Sequence, residues 1–281
     1  MIENKQALLL FAKAPVPGKV KTRLTEAHGG IFTPEEAADF FTCCLLDVVD
    51  VGFSALAQLK QEASADAQVS YDFVISSSPE EDQPVLKRVL DDCGPWPATI
   101  TYLVDRGQTF DEHFDDAFSQ LFSAGYSSVV AVGGDLPLMP PSHIVSAFQW
   151  LDYFSSYSET GGFVQAPCQE CGVSLVGYTD ATPMDSAGVY YNLQGLAALD
   201  AYVIKVAQSG IPMTCLDPVA DIDTTADLAH ATSLVRALGY AEAHQPGLHV
   251  PHRTLHWLDS QGIRISTPPN SEHDPREMLD R

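Results

Sequence analysis

The sequence predicts an α/β fold, namely a doubly wound, mostly parallel sheet with helices on both faces. Continuous apolar runs such as Ala7–Ala12 and Ser128–Val132 are typical of strands that are buried on both sides of a parallel sheet. Segments of this kind alternate along the chain with amphipathic segments of about 10–15 residues, which indicates βαβ units. With 281 residues and 45% hydrophobic residues, the chain can bury a core without disulfides or metals.

The elements follow in order. Thr33 is predicted to cap the first helix, with Pro34 at the first helical position and Glu36 completing a capping box. Strands are predicted at 7–12, 71–76, 99–104, 128–132, 163–166, 173–178 and 213–216, and further helices at 80–92, 109–124, 141–153, 193–209 and 225–238. The periodic pattern fails from about Glu242. We therefore expect one domain over 1–241 and a partly ordered C-terminal tail or arm over 242–281.

The charge of the chain excludes some partners and suggests another. The formal net charge is −22, which argues against a nucleic-acid partner and against an anionic membrane surface. Yet five of the 15 basic residues lie within residues 1–23, so one region is locally cationic and suits an anionic ligand. No apolar run approaches the roughly 18 residues of a membrane span, and no signal peptide is evident. We expect a cytoplasmic protein with reduced cysteines.

The first candidate motif is FAKAPVPGKVKTRL, residues 11–24, directly after the first predicted strand. Ligands of open α/β sheets bind at the carboxyl ends of the strands. Gly18 permits a tight turn, and the loop lacks the Gly-Lys-Ser/Thr ending of a Walker A motif. Four cations are spaced so that they can converge on a polyphosphate: Lys13, Lys19, Lys21 and Arg23. The alternative is a solvated basic loop.

The second candidate motif is VVAVGGDLP, residues 129–137. Gly133 and Gly134 permit close approach of a ligand, and Asp135 can bind a hard cation such as Mg²⁺ or Mn²⁺ through oxygen. Such a cation would neutralise a diphosphate. The alternative is an ordinary turn aspartate.

The third candidate motif is VADIDTTADL, residues 219–228. Asp221 and Asp223 alternate along an extended segment, so their side chains point the same way. Thr224 or Thr225 then caps the last helix, with Asp227 favouring its dipole, and capping alone is the alternative explanation.

Cys168 and Cys171 form a C-x-x-C pair that has no second pair of the same spacing. A zinc site normally needs two such pairs, and a thioredoxin-like motif should open a helix, whereas this pair lies between two predicted strands. Packing or chance is the favoured interpretation, and a redox or metal role is the alternative.

Taken together, the three motifs resemble the bacterial family catalogued as domain of unknown function 2064. The matching patterns, in order along the chain, are F-x-K-x-P-x-x-G-x-V-K-T-R-L, G-G-D-x-P and D-x-D-T. That family is described as glycosyltransferase-like, within the nucleotide-diphospho-sugar transferase superfamily, and has the GT-A fold. It is distantly related to molybdenum-cofactor and phospholactate guanylyltransferases. The resemblance covers about residues 7–238.

The resemblance implies a role for each matching residue. Asp135 would be the metal-binding carboxylate, with Asp221 and Asp223 as further metal contacts. Lys21 and Arg23 would stabilise charge that develops at a bridging phosphate. Nucleotide and phosphate contacts would come from Lys13, Gly18, Lys19, Lys21, Arg23, Gly133 and Gly134.

The chain departs from the family pattern at two places. The first is GQTFDEHFDDAF, residues 107–118, where Asp111 replaces the family's usual glycine and His113 replaces its usual arginine. In ECGVSL, residues 170–175, the usual aspartate is Glu170, Gly172 is kept, and two tyrosines are missing. The second segment is expected to face the acceptor, so the acceptor is expected to differ or catalysis to be weakened.

These observations predict a metal-dependent transferase that uses a nucleotide sugar or a nucleoside triphosphate, with an unknown small-molecule acceptor. Nucleotidyl transfer onto a small phosphorylated acceptor is one alternative. A nucleotide-binding regulatory protein that has lost turnover is a second, and an α/β domain with an unrelated ligand is a third.

Overall fold

Seven strands form one sheet in the computed structural model, which describes residues 4–63, 69–192 and 194–266. The sheet order is β3-β2-β1-β4-β6-β5-β7. The strands are β1 Asn4–Phe11, β2 Val69–Ser76, β3 Ile100–Leu103, β4 Tyr126–Gly133, β5 Phe163–Pro167, β6 Val173–Thr179 and β7 Met213–Cys215. β6 runs antiparallel to its neighbours β4 and β5, and the other neighbouring pairs are parallel.

Helices cover both faces of the sheet. They are α1 Pro34–Glu62, α2 Gln83–Cys93, α3 Phe110–Ser123, α4 Pro141–Ser155, α5 Ala198–Ser209, α6 Thr225–Ala241 and α7 His252–Ser260. The central strand β1 shows why both faces are apolar: Leu8 and Leu10 pack with α1, α2 and α4, whereas Ala7 and Leu9 pack with α3 and α5. Alternate residues of a strand point to opposite faces, so a strand between two helical layers must be apolar throughout. The predicted α/β fold class is therefore confirmed.

Helix α1 begins where the sequence predicts. Thr33 Oγ1 accepts a hydrogen bond from the backbone N–H of Glu36 (3.1 Å), and the Glu36 carboxylate accepts one from the Thr33 N–H (2.7 Å). By length and composition this helix could cross a membrane, since an 18-residue window has a mean hydropathy of 1.8. However, 72% of that window is buried inside the protein, as in the core helix of a globular domain.

Helix α5 begins at Ala198, later than the predicted 193, and Leu193 itself lies outside the described residues. Two hydrogen bonds explain the late start. The Asn192 side-chain amide donates to the Leu196 carbonyl oxygen (2.6 Å), and its oxygen accepts from the Leu196 N–H (2.9 Å). Asparagine thereby closes a local turn that competes with the helix.

The segment after α6 packs on the domain through α7. Leu258 of α7 is fully buried, and Trp257 packs edge-on against Phe32 and near Phe40 at ring-centroid distances of 5.1 and 5.2 Å. The same apolar cluster contains Leu24, Ile222 and Leu228. The boundary predicted at 241 coincides with the end of α6, and residues 267–281 of the predicted arm lie outside the described residues. The division into domain and arm remains a prediction.

Candidate functional site

The three sequence motifs converge at one edge of the sheet. β1 leads into the basic loop, the parallel strand β4 leads into Asp135, and the segment with Asp221 and Asp223 joins β7 to α6. The backbone N–H of Gly134 donates to the carbonyl oxygen of Phe11 (2.9 Å), which joins the first two motifs directly. The carboxyl ends of parallel strands lie at the same edge, which is where open α/β sheets bind ligands.

Three carboxylates form the centre of the site. Asp135, Asp221 and Asp223 each offer one oxygen, and these oxygens lie within 4.8 Å of one another. Gly133 lies beside them, and a Cβ at that position would lie 2.7 Å from Oδ1 of Asp135. A larger residue would therefore require the Asp135 carboxylate to shift.

Lys21 lies inside this carboxylate cluster. Its Nζ is 2.7 Å from Asp135 Oδ2, 2.8 Å from Asp223 Oδ1 and 4.0 Å from Asp221 Oδ1. Its side chain is only 4% exposed, and its backbone is left-handed, with φ 45° and ψ 36°. Burial opposes the charged form, but the three carboxylates outweigh burial and raise the pKa of Lys21 above its ordinary value, so the ammonium is charged.

The carboxylates respond to burial and to this cation in different ways. Burial, together with the charge of Asp135, raises the pKa of Asp221 to about 7, and Lys21 only partly opposes this effect. Burial also acts on Asp223, but the charges of Lys21, Arg23 and Lys13 and the hydrogen bond from Lys21 outweigh it and lower the pKa of Asp223. Of these two carboxylates, Asp223 holds its negative charge more firmly, and Asp221 holds a proton more readily.

The remaining cations of the basic loop are exposed around this centre. Lys13 and Lys19 line a neighbouring cleft, and Lys19 Nζ pairs with Asp82 at 2.5 Å. The Arg23 guanidinium is 67% exposed and lies 3.3 Å from Asp223. Gly18 does not line the cleft; with φ 77° it supplies the turn between the two lysines. Three cations thus remain accessible to an anionic ligand, and Lys21 is engaged by carboxylates.

The cleft beside the basic loop has a volume of about 560 Å³, within the range of small-molecule sites. Gly133, Gly134 and Asp135 form part of its wall. Phe110 also lines it and is 47% exposed. An aromatic ring at this position offers a face on which a flat ligand can stack.

A polar group that sequence reasoning missed lies at the far wall of the same cleft. Ser76 Oγ donates to Asp105 Oδ2 (2.6 Å), and His113 Nδ1 lies 2.7 Å from Asp105 Oδ1, outside straight hydrogen-bond geometry. Asp105 is 4% exposed, so it is a buried carboxylate held between two partners. Its position after β3 was the signal: a polar residue at the carboxyl end of a strand that runs parallel to β1 and β4 in the same sheet.

Two further pockets adjoin the carboxylates from the other side. Glu170 and Gly172, predicted on the acceptor side, line one of about 540 Å³ together with Arg23, Asp221 and Asp223. A pocket of about 370 Å³ lies between it and Phe110, and contains Asp135, Asp221 and Asp223. The carboxylate cluster is thus shared by the basic cleft and by a second, predominantly acidic pocket.

Asp111, one of the two departures in 107–118, has a structural role. Its buried carboxylate accepts hydrogen bonds from the backbone N–H groups of Gly188 (2.8 Å), Tyr190 (2.7 Å) and Tyr191 (3.1 Å). Tyr190 lines both smaller pockets, so Asp111 shapes the second side of the site through this loop. A glycine could not accept these bonds.

The cysteine pair lies in the turn between β5 and β6, and Cys168 and Cys171 are not joined by a disulfide. Burial raises the pKa of Cys168 to about 11, so its thiol is protonated at neutral pH. This favours a packing role over a nucleophilic one.

The donor set suits a hard divalent cation, because aspartate oxygens are the ligands that Mg²⁺ and Mn²⁺ prefer. Asp135, Asp221 and Asp223 fit this requirement by type and by proximity. The ammonium of Lys21 lies among the same oxygens and is the one feature of the cluster that opposes a second cation.

Comparisons with known proteins agree with this architecture. The model of the family described as "Uncharacterized protein conserved in bacteria (DUF2064)" matches residues 56–191. The chain is similar to a protein from Desulfovibrio desulfuricans whose crystal structure is described as that of a candidate nucleotide-diphospho-sugar transferase. The two sequences are 21% identical, and the two structures superpose with a TM-score of 0.67. That similarity covers 92% of this chain and 95% of the other, and it shows a shared fold.

More distant structures share less of the geometry. A cytidylyltransferase from Leptospira borgpetersenii is 11% identical with a TM-score of 0.48, covering 95% of this chain and 98% of the other. A CMP:2-keto-3-deoxy-manno-octonic acid synthetase complexed with CTP is 10% identical with a TM-score of 0.47, covering 83% and 99%. No curated protein matches the chain in sequence. The family match agrees with the resemblance that the sequence motifs indicated: residues 56–191 match the DUF2064 model, and the fold of the chain is GT-A-like.

Proposed function

We propose that the protein is a metal-dependent transferase whose donor is a nucleotide sugar or a nucleoside triphosphate. The observation that carries this proposal is the convergence of an exposed basic loop and three clustered carboxylates at the rim of one ligand-sized cleft. Neither feature alone specifies a function. Together they supply groups for the phosphates and for the cation that accompanies phosphates in such sites.

The donor would occupy the cleft of about 560 Å³. Lys13, Lys19 and Arg23 are available for its phosphates, since all three are exposed and line this cleft. The nucleobase would stack on Phe110, with His113 within reach of its polar edge. This division leaves the phosphates beside the carboxylates, where charge must be neutralised.

Asp135, Asp221 and Asp223 would hold Mg²⁺ or Mn²⁺. Such a cation, when bound, would neutralise phosphate charge and assist departure of the leaving group. The protein's own contribution is to orient the donor and to keep cationic side chains close to the phosphates throughout the reaction.

The acceptor would enter through the second pocket. Glycosyl transfer requires an acceptor oxygen to attack the anomeric carbon, with a nucleoside diphosphate leaving. The predominance of Glu170, Asp221, Asp223 and Asp227 over Arg23 in this pocket favours a neutral hydroxyl acceptor over an anionic one, and hence glycosyl transfer.

Nucleotidyl transfer is the second candidate. The acceptor would attack the α-phosphorus of a nucleoside triphosphate and pyrophosphate would leave. The three exposed cations of the basic loop favour it, because they suit the greater charge of a triphosphate.

The test is a thermal-shift screen of nucleoside triphosphates and nucleoside diphosphate sugars, each with and without Mg²⁺ or Mn²⁺. We expect a metal-dependent rise in Tm in the wild type and its loss in Asp135→Asn. Binding at a hundred times Kd stabilises by about 2.7 kcal/mol. Asp180→Asn is the matched control, because Asp180 is exposed and its backbone contacts the start of β4 at the opposite edge of the sheet.

Product analysis then separates the reactions. Release of a nucleoside diphosphate indicates glycosyl transfer, and release of pyrophosphate indicates nucleotidyl transfer. Tight binding without turnover, with every acceptor tried, would support a regulatory nucleotide-binding protein. The absence of any nucleotide-dependent shift would contradict the proposal.

A further inference from the structure

We propose that Lys21 is an internal counter-cation that occupies the carboxylate cluster before ligands bind, and that a divalent cation enters only by displacing it. The metal and the ammonium therefore compete for the same oxygens. A metal alone binds weakly, and a nucleotide favours metal binding because its phosphates accept the displaced ammonium. Only this last step depends on the proposed function.

The geometry makes the two cations mutually exclusive. Lys21 Nζ is within hydrogen-bond distance of both Asp135 (2.7 Å) and Asp223 (2.8 Å), so it bridges the two carboxylates that the cation needs. Mg²⁺ requires its oxygens at about 2.0–2.1 Å in near-octahedral geometry. A divalent cation bound to these oxygens would lie next to the ammonium, and like charges at such short range repel strongly where water is largely excluded.

The charges of the cluster predict how the loss of the Lys21 ammonium changes the affinity for a divalent cation. Three carboxylates share one buried ammonium, and the nearest further cation, Arg23, touches only the outer oxygen of Asp223, at 3.3 Å. Removing the ammonium therefore leaves three clustered carboxylates whose remaining ion pair is the one between Asp223 and the exposed Arg23. Such a cluster should bind a divalent cation more tightly than the native one does.

The neighbouring cleft offers a position for the Lys21 ammonium when a metal displaces it from the carboxylates. Lys21 lines the same cleft as Lys13 and Lys19, and we expect rotation of its side chain to carry Nζ from the carboxylates towards the proposed phosphate position. The apolar cluster that holds Leu24 anchors the end of the loop, so the backbone can stay in place while the side chain moves.

The first experiment measures Mn²⁺ affinity without any nucleotide, from the electron paramagnetic resonance signal of free Mn²⁺. We compare the wild type with Lys21→Met, which keeps the length and loses the charge. The variant is expected to bind Mn²⁺ at least about tenfold more tightly, as for an ordinary coupling between two sites. Lys21→Arg, which keeps the charge, should stay weak. Lys60→Met, on the exposed end of α1, controls for the change in net charge and should match the wild type.

Lys21→Gln is the second variant, because its amide can still donate hydrogen bonds to the carboxylates and so preserve the fold. Thermal unfolding gives an independent readout: Mn²⁺ alone should raise the Tm of both neutral variants, whereas the wild type should need Mn²⁺ and a nucleoside diphosphate together. Equal Mn²⁺ affinity in the wild type and the folded neutral variants would overturn the inference, as would weaker binding by those variants. Either result leaves the nucleotide-dependent shifts of the transferase test unaffected, so the two proposals fail separately.

Discussion

The carboxylate of Asp47, in the middle of α1, accepts a hydrogen bond of 2.8 Å from the backbone N–H of Thr254 in the first turn of α7. Arg253 adds its own N–H to the same carboxylate at 3.2 Å. A buried acidic side chain from a distant helix therefore caps α7, where a local capping residue would normally do so. This contact fixes the C-terminal helix against the apolar cluster beneath the site.

Asp47→Ala should lower the free energy of unfolding by about 1–3 kcal/mol, because it removes a helix cap and leaves a buried N–H unsatisfied. Urea denaturation measures the change. Asp39→Ala, at an exposed position of the same helix, is the control and should stay within about 0.5 kcal/mol of the wild type. Equal stabilities of the two variants would mean that the cap contributes nothing.

Asp111→Ala should destabilise the protein by about 3 kcal/mol, since three backbone N–H groups lose a buried acceptor. Amide hydrogen exchange should become faster over 188–191 and remain unchanged in the strands. Asp92→Ala, at an exposed position of α2, is the control. Unaltered exchange in that loop would contradict the structural role assigned to Asp111.

Phe110→Ala should weaken nucleotide binding by about 1–3 kcal/mol, the usual contribution of a base stacked on an aromatic side chain. Isothermal titration with the nucleotide selected by the thermal-shift screen measures the loss. Tyr153→Ala removes an aromatic side chain that is similarly exposed on α4 and should leave affinity unchanged. If both variants bind like the wild type, the base lies elsewhere.

Asp221 should make stability depend on pH. Burial raises its pKa to about 7 in the folded protein, whereas an aspartate in an unfolded chain titrates near 3.9. Between these values the folded state binds more protons than the unfolded state, so the free energy of unfolding falls as pH rises and levels off above about 7. Asp221→Asn cannot ionise and should lose less stability between pH 5 and pH 8. Urea denaturation with a chelator present measures both slopes, and identical slopes would refute the assignment.

Much of this architecture could be predicted because the signals were local. The apolar runs within β1 and β4 are buried, as strands covered on both faces require, and the capping box at Thr33 places the start of α1 at Pro34. The family resemblance also implied that Asp135 and Asp223 lie together, and their carboxylates do so in the structure. Strand order was not predicted: nothing in the composition of β6 shows that it lies antiparallel between β4 and β5.

Other features depend on contacts between residues far apart in sequence. Lys21 was predicted to face phosphates, but only the folded chain shows that two carboxylates more than 100 residues away hold its ammonium. Likewise, Asp111 looked like the loss of a family residue, whereas it binds a loop about 80 residues further on. Local pattern carries no information about partners at such separations.

The bond between Lys21 and Asp223 joins residues 202 positions apart. On a ribosome that adds about 5–20 residues per second, the basic loop therefore emerges about 10–40 s before the last carboxylate of its cluster. During that interval the cations of the basic loop lack the carboxylates of Asp221 and Asp223. The segment between β7 and α6, which carries these two residues, has not yet been synthesised. The complete carboxylate cluster is thus assembled late in synthesis, and translation products that end before Asp223 lack its last member.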